Sequence, residues 1–440
     1  FHQILIGSTR YKTRTGESVP MRILHLCDSL NPAGLGGYES YIHYLSQWLI
    51  KNGHQSMIVT QSPTRKAPEI IQDADYNIYH LPGNLLEARK WEFFSLPEDE
   101  RESSVNILFK DNDLEENVEH LVAQLSDLLD KLRPDVIHAH SIYVVFNRVL
   151  MKIREANRFQ DLPIVTTIHG LPKSLILPDG TETTDFDQLV THCPFDMVLG
   201  VSNSVVDELK SYLKSIKRES IVRLMYNGVD LQVFRPILDS EKTWDLAFMG
   251  RLEYMKSVDV FPEMLSLVKE THPEVKMVIT GEGALKDLIL NEFRERDVQD
   301  MVEYLGVVDS KKVPEIINSS KIFLYPSRRE PFGLSIIEAM ACGVPVVTAN
   351  LYGPREIVTN KEDGLTVTPG NSKELADAII LLLENPVLRD KIGKSGRRTV
   401  EKRFALDVHM AKMMEIYTEM IEKKKKEKER EESEKQHYSY

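Results

Sequence analysis

The sequence predicts an α/β protein of two Rossmann-like halves, and three observations carry that prediction. At 440 residues the chain exceeds one ordinary core, since domains run to roughly 100–200 residues. From Met21 onward, short apolar runs alternate with longer stretches of helical periodicity, the pattern of parallel β-α-β winding. After residues 231–243, which read as a linker, a second series of the same kind opens at Leu246. The expected units are an extension over 1–20, a first half over 21–232, a second over 233–405, and a C-terminal helix with a charged tail over 406–440. The halves are expected to face each other across a cleft.

Arg22-Ile23-Leu24-His25-Leu26-Cys27 reads as a buried strand, followed by a turn rich in glycine and proline over 31–37. Tyr38, Tyr41, Ile42, Leu45, Trp48 and Leu49 then recur at helical spacing until Asn52-Gly53 stops the helix. Ser56–Thr60 is the next strand. Residues 62–112 mix proline, charge and aromatics without a sustained period and read as irregular. A helix resumes over Leu114–Leu132, and Asp135–His140 and Pro163–Gly170 read as strands ending in histidines. Met197–Ser202 is a further strand, and Arg223–Asp230 leads out of the first half. In the second half the strands are Leu246–Gly250, Val275–Thr280, Lys321–Tyr325 and Val344–Thr348. Met410, Met413, Met414, Tyr417 and Met420 line one helical face and are expected to pack, while Glu422–Lys435 reads as a solvated helix end.

Composition narrows the function. With 42% hydrophobic and 28% charged residues the chain is an ordinary globular one. A net charge of −12 excludes a duplex-wrapping nucleic-acid binder, though not a local basic cleft for a small phosphate ligand. Cys27, Cys193 and Cys342 show no zinc or disulfide spacing, which fits a reducing cytoplasm. No run approaches the roughly 18–20 apolar residues of a membrane span, so the expected location is cytoplasmic, with peripheral contact at the inner face of a membrane left open. Near the start, Ile4-Leu5-Ile6 is too short for a signal sequence, and Arg10, Lys12 and Arg14 follow it instead of preceding it.

The chemistry concentrates where the strand Lys321–Tyr325 runs through Pro326–Leu334 into the helix Ser335–Ala341. A glycine turn entering a helix aims free N–H groups at one point, which suits a diphosphate. Ser335 and Glu338 also match a capping box, so Glu338 reads either as a cap or as a ligand group. Glu330 has no such local role, although a loop carboxylate beside Arg328 and Arg329 could be solvated. Taken alone, Arg251 and Lys256 read as surface charges, Gly36-Gly37 and Gly281-Glu282-Gly283 as ordinary turns, and His169 as a strand-end histidine. His138 and His140 share one side of their strand but have no further ligand at metal spacing, so no metal is expected.

The segment Glu330-Pro331-Phe332-Gly333-Leu334-Ser335-Ile336-Ile337-Glu338 resembles the paired-glutamate signature of the retaining GT-B glycosyltransferases, the large family-four group. Similar too are Gly36-Gly37-Tyr38-Glu39, Thr167-Ile168-His169-Gly170, Asn227-Gly228-Val229-Asp230, Gly250-Arg251-Leu252 with Lys256, Gly281-Glu282-Gly283 and Ala339–Pro345, in family order across 21–405. The resemblance implies the GT-B fold and transfer, with retention, of a hexosyl unit from a nucleoside-diphosphate sugar to a hydroxyl acceptor on a glycan, a lipid-linked molecule or a small molecule. It implies that Glu338 holds the donor ribose, Glu330 contacts the transferred sugar, and Arg251 and Lys256 grip the diphosphate, where leaving-group charge develops. His169 would contact the donor sugar, Gly36 and Gly37 would approach its phosphate, and Gly281 and Gly283 would border the nucleotide. Phe332, Gly333 and Leu334 would complete the donor turn. The donor is a substrate, and no cofactor is implied. Attack is expected on the face the phosphate leaves, with that phosphate helping to deprotonate the acceptor. One departure is Lys256-Ser257, where the family usually has glycine after the lysine. Rival readings are an epimerase or phosphorylase on the same fold, or a non-catalytic nucleotide-sugar-binding subunit.

Overall fold

The computed structural model describes residues 11–437, apart from 13–17, 28–29, 31–36, 63–67, 74–75, 83–110, 141–143, 171–173, 177–181, 185–194, 219 and 239. Two sheets carry the molecule. The first contains β1 (Arg22–Leu26), β2 (Gln55–Ser62), β3 (Glu69–Asp73), β4 (Tyr76–Pro82), β5 (Val136–His140), β6 (Ile164–Ile168), β7 (Met197–Gly200) and β8 (Val222–Leu224), in the order β8-β7-β6-β5-β1-β2-β4-β3. Its strands pair in parallel except β3, which runs antiparallel along β4 at the edge.

Helices cover both faces, which is why the central strands read as near-continuous apolar runs. Alternate residues of β1 show the division. Ile23 joins Tyr41, Leu45, Trp48 and Leu49 of α1 (Gly37–Lys51) on one face. Leu24 and Leu26 meet Val118, Leu121 and Leu125 of α2 (Asp111–Leu132) and Val149 of α3 (Val144–Glu155) on the other. A fourth helix, α4 (Asn203–Ser215), packs through Val205, Leu209 and Leu213. The expectation that 62–112 is irregular is corrected by β3 and β4, while 83–110 lies outside the described residues. The reason is edge position: β3 is polar at both ends and leaves Ile70 61% exposed, so no buried run marks it.

The second sheet is wholly parallel: β9 (Trp244–Met249), β10 (Met277–Thr280), β11 (Val302–Gly306), β12 (Ser320–Tyr325), β13 (Val346–Ala349) and β14 (Leu365–Val367), in the order β11-β10-β9-β12-β13-β14. Around it lie α5 (Phe261–Lys269), α6 (Leu334–Ala341) and α7 (Tyr352–Ile357). The last helix, α8 (Leu406–His437), leaves the second half and returns to the first. Its Met410, Met413, Met414, Tyr417 and Met420 are buried against Ile23, Val136, Val165 and Met197. The methionine face is therefore core, as its spacing predicts. The charged end is not merely solvated: Lys424 reaches Asp196 at 2.7 Å and Lys428 reaches Asp161 at 2.8 Å. Among the described residues, no helix is long and apolar enough to cross a membrane.

Candidate functional site

In parallel sheets the strand ends at the carboxyl edge are where a site forms. Two such ends are laced together in the second half. From β9 the chain passes Arg251 into a short helical turn, Tyr254–Lys256, and from β12 it passes through 326–333 into α6. The Arg328 backbone N–H donates to the Met255 carbonyl at 2.9 Å. The Arg328 guanidinium grips both oxygens of Asp259, at 2.5 and 2.8 Å, and lies 4.0 Å over the Tyr254 ring. This lacing brings Lys256 to Glu330.

Lys256 Nζ donates to Glu330 Oε2 at 2.5 Å and to Tyr325 Oη at 3.0 Å, and Tyr325 Oη donates to the same carboxylate oxygen at 3.0 Å. Glu330 is only 8% exposed, so the reading of a solvated loop carboxylate is overturned. Burial by itself lowers the Lys256 ammonium, but the charge of Glu330 and the Tyr325 hydroxyl outweigh it and hold it above its ordinary value. Tyr325 is pushed up to about 12 by burial and by Glu330. Lysine has three N–H donors and this trio uses two, which among the described residues leaves one for a ligand oxygen. Arg251 stands apart, with a side chain 64% exposed and an ion pair to Glu253 at 2.8 Å.

The capping-box reading of Glu338 fails. The N-cap of α6 is Gly333, at φ 111°, with no side-chain cap, and Ser335 already lies inside the helix. A Cβ at Gly333 would sit 2.7 Å from Ile336 Cδ1 in a left-handed backbone, so the position requires glycine. Glu338 is half-buried, and burial raises its carboxyl to about 7. It faces the first half: the Tyr44 phenol of α1 is raised by burial and then by the charges of Glu338 and Asp230. Leu334 packs against the cores of both halves. Phe332 is 2% exposed and its ring packs 5.9 Å from Tyr226 and 5.8 Å from Phe404, so its side chain belongs to the core.

The glycine readings divide. A Cβ at Gly281 would lie 1.9 Å from the Gly250 carbonyl oxygen, and one at Gly283 would lie 2.4 Å from that of Leu252. Both glycines let the loop after β10 press against the loop that carries Arg251, whether or not a nucleotide is bound. Gly37 opens α1, and Gly36 lies outside the described residues.

His169 follows β6, half-buried, with Nε2 3.4 Å from His140 Nδ1 and its ring 5.6 Å from that of Tyr41. Burial lowers it to about 3, so it is a neutral imidazole at physiological pH. Behind it lie three fully buried histidines: His25 on β1, paired in register with His138 of β5, and His140 two residues on. Sequence spacing could not find His25, which joins the group only because β1 and β5 are neighbours. One ring nitrogen from each of the three lies within 4.8 Å of the others, which is within reach of metal-ligand geometry. Tyr325 was equally hidden, read only as the last residue of a strand.

Two family models match the chain: Glycosyltransferase Family 4 over residues 35–233 and Glycosyl transferases group 1 over residues 232–399. Among curated relatives, glycogen synthase of Mycobacterium tuberculosis is 25% identical over 405 residues, covering 87% of this chain and 91% of that protein. N-acetyl-alpha-D-glucosaminyl L-malate synthase of Bacillus anthracis is 25% identical over 317 residues, covering 69% and 80%. Among solved structures, sucrose-phosphate synthase of Thermosynechococcus elongatus matches with a TM-score of 0.68 at 21% identity, covering 91% of this chain and 99% of its own. Anabaena HepE in complex with UDP and glucose matches at 0.64 and 18% identity, covering 90% and 99%. With two parallel sheets, the fold of these neighbours and both models matched in chain order, the protein belongs to the group 1 glycosyltransferases of the family-four type and has the GT-B fold.

Proposed function

We propose that this glycosyltransferase moves a hexosyl unit from a nucleoside-diphosphate sugar, with a uridine donor the first to test, to a hydroxyl acceptor with retention of anomeric configuration. The buried Lys256–Glu330–Tyr325 trio is the observation that carries this reading. It fixes an ammonium at the carboxyl edge of a parallel sheet with one donor unspent, which suits a phosphate oxygen gaining charge as the glycosidic bond breaks. Glu330 both anchors that ammonium and reaches the position of the transferred sugar. Glu338 supplies a carboxylate for ribose hydroxyls, and Arg251 joins the diphosphate by leaving Glu253. The departing phosphate takes the acceptor proton, so neither glutamate acts as a covalent nucleophile. The uridine choice draws on HepE, whose structure holds UDP and glucose.

The test is thermal shift against uridine, guanosine and adenosine diphosphates and their sugars, followed by product analysis with the stabilising donor. A ligand at 100 times its dissociation constant adds about 2.7 kcal/mol, well within detection. Indifference to all three diphosphates would overturn the reading. Epimerised donor formed without any acceptor would move it to the epimerases of the same fold.

A further inference from the structure

We propose that Tyr226 is a positioning residue for the donor turn: its ring, with that of Phe404, clamps Phe332 where the two halves join, and that grip sets where the Glu330 carboxylate meets the transferred sugar. The catalytic consequence rests on the function proposed above, whereas the clamp rests on geometry alone.

Tyr226 lies where the chain leaves the first half, and Phe404 lies where it turns back. The two passages run together, with the Val229 N–H donating to the Phe404 carbonyl at 2.9 Å. Each supplies one ring, and Phe332 of the donor turn supplies the third. Tyr226 and Phe332 are 5.9 Å apart between centroids, Tyr226 and Phe404 5.5 Å, and Phe332 and Phe404 5.8 Å, separations at which aromatic pairs attract. Tyr226 is itself pinned at both ends. Its carbonyl accepts from His409 Nδ1 at 2.6 Å, and its hydroxyl donates to Glu356 of α7 at 3.0 Å while accepting from Asn203 Nδ2 at 3.1 Å. A phenylalanine would fill the same space, so the hydroxyl has a use beyond packing: it fixes the ring against α7.

The grip on Phe332 reaches Glu330 through one residue, Pro331. Proline fixes its own φ and confines the residue before it to extended backbone, so Glu330-Pro331-Phe332 moves as one stiff piece. Gly353 of α7 braces that piece from the other side. Its N–H donates to the Glu330 carbonyl at 3.2 Å. A Cβ on it would lie 2.4 Å from Phe332 Cα and 2.5 Å from the carbonyl oxygens of Phe332 and Pro331. One short helix thus touches the stiff piece through Gly353 and Tyr226 through Glu356. A shift at Tyr226 is carried to Glu330, and with it to the Lys256 ammonium that Glu330 anchors.

In Tyr226→Leu, kcat should fall about tenfold or more, because a small misplacement of a reacting contact is costly, while the uridine diphosphate dissociation constant moves less than about threefold. Tyr226→Phe keeps the ring and should hold kcat within about twofold of wild type. In a Glu330→Gln background, Tyr226→Leu should lower kcat by no more than about twofold further. Amide exchange across 326–338, read by mass spectrometry on the full chain, should quicken at least about tenfold in Tyr226→Leu and keep its wild-type rate in Tyr226→Phe. Unchanged kcat in Tyr226→Leu, no rescue by phenylalanine, or losses that multiply with Glu330→Gln each overturn the proposal. Should Tyr226→Leu not fold, Gly353→Ala presses on the same stiff piece and is judged by the same cycle with Glu330→Gln. A wild type that transfers no sugar sinks the proposed function and leaves the exchange to decide the clamp: an unchanged rate in Tyr226→Leu overturns it.

Discussion

Ser257 follows Lys256 with φ 58° and ψ 30°, a left-handed backbone that strains any residue with a Cβ. The departure from the family's glycine thus falls where glycine is favoured. Ser257 is fully buried and its Oγ has no partner among the described residues, a second cost of about 1–3 kcal/mol. Against this, glycine costs about 0.5–1 kcal/mol more backbone entropy on folding. Ser257→Gly is expected to gain about 1 kcal/mol in urea unfolding, and a loss of stability would show that the serine has a use the geometry does not reveal. The adjacent trio needs two variants to interpret. Lys256→Met leaves Glu330 buried without its counter-charge and should cost about 3–5 kcal/mol, much of which Glu330→Gln in the same chain should restore. Turnover should stay at least about 10²-fold down in the double variant if the ammonium stabilises the leaving group. Recovery of both stability and turnover would make the pair purely structural. Glu330, Glu338 and Lys256 were legible because a recognisable segment carries each one. Tyr325 and His25 were not, since each acquires its role from a partner on another strand.

At the scale of elements, strands buried on both faces announced themselves by unbroken apolar runs, and the edge hairpin β3–β4 did not. Helix α6 shows the opposite risk, that a local pattern suggests a structure the fold does not use. Ser335 and Glu338 have capping-box spacing, yet the helix is capped at Gly333, two residues before the serine that the pattern needs as its cap. What Glu338 does instead is set by burial, which raises its carboxyl from 4.5 to about 7. A folded value above the unfolded one means that the proton favours the folded state. Its stability contribution is full below pH 4.5 and is lost as pH rises through 7. Urea unfolding across that window should show wild type losing stability relative to Glu338→Gln as pH rises, and parallel curves would place the carboxylate in a solvated setting. If ribose hydroxyls donate to this carboxylate, they favour its charged form, and a nucleoside diphosphate should release protons on binding near pH 7.

For the whole molecule, the two halves were legible as two series of strands, but the way they are joined was not. The chain crosses between them twice, side by side: the Val229 N–H donates to the Phe404 carbonyl and the Leu406 N–H to the Val229 carbonyl, both at 2.9 Å. Beyond that crossing α8 completes the first half's core, so removing 406–437 should expose Ile23, Val136 and Met197 and unfold that half. A third tie is a single carboxylate. Glu356 of α7 accepts from the backbone N–H groups of Asn203 and Ser204 at 2.9 and 3.1 Å, and from Asn203 Nδ2, Ser204 Oγ and Tyr226 Oη at 2.8, 3.3 and 3.0 Å. The second half thereby caps a helix of the first, where unpaired N–H groups and the helix dipole both favour negative charge. Every group that meets Glu356 is a donor, so Glu356→Gln turns an amide N–H₂ toward other donors and is not a neutral exchange. Either Glu356→Gln or Glu356→Ala should free the halves to move apart, with a larger radius in X-ray scattering and a raised donor KM at little-changed stability of each half. Scattering and KM both equal to wild type would mean that the double crossing and α8 hold the halves together without this contact.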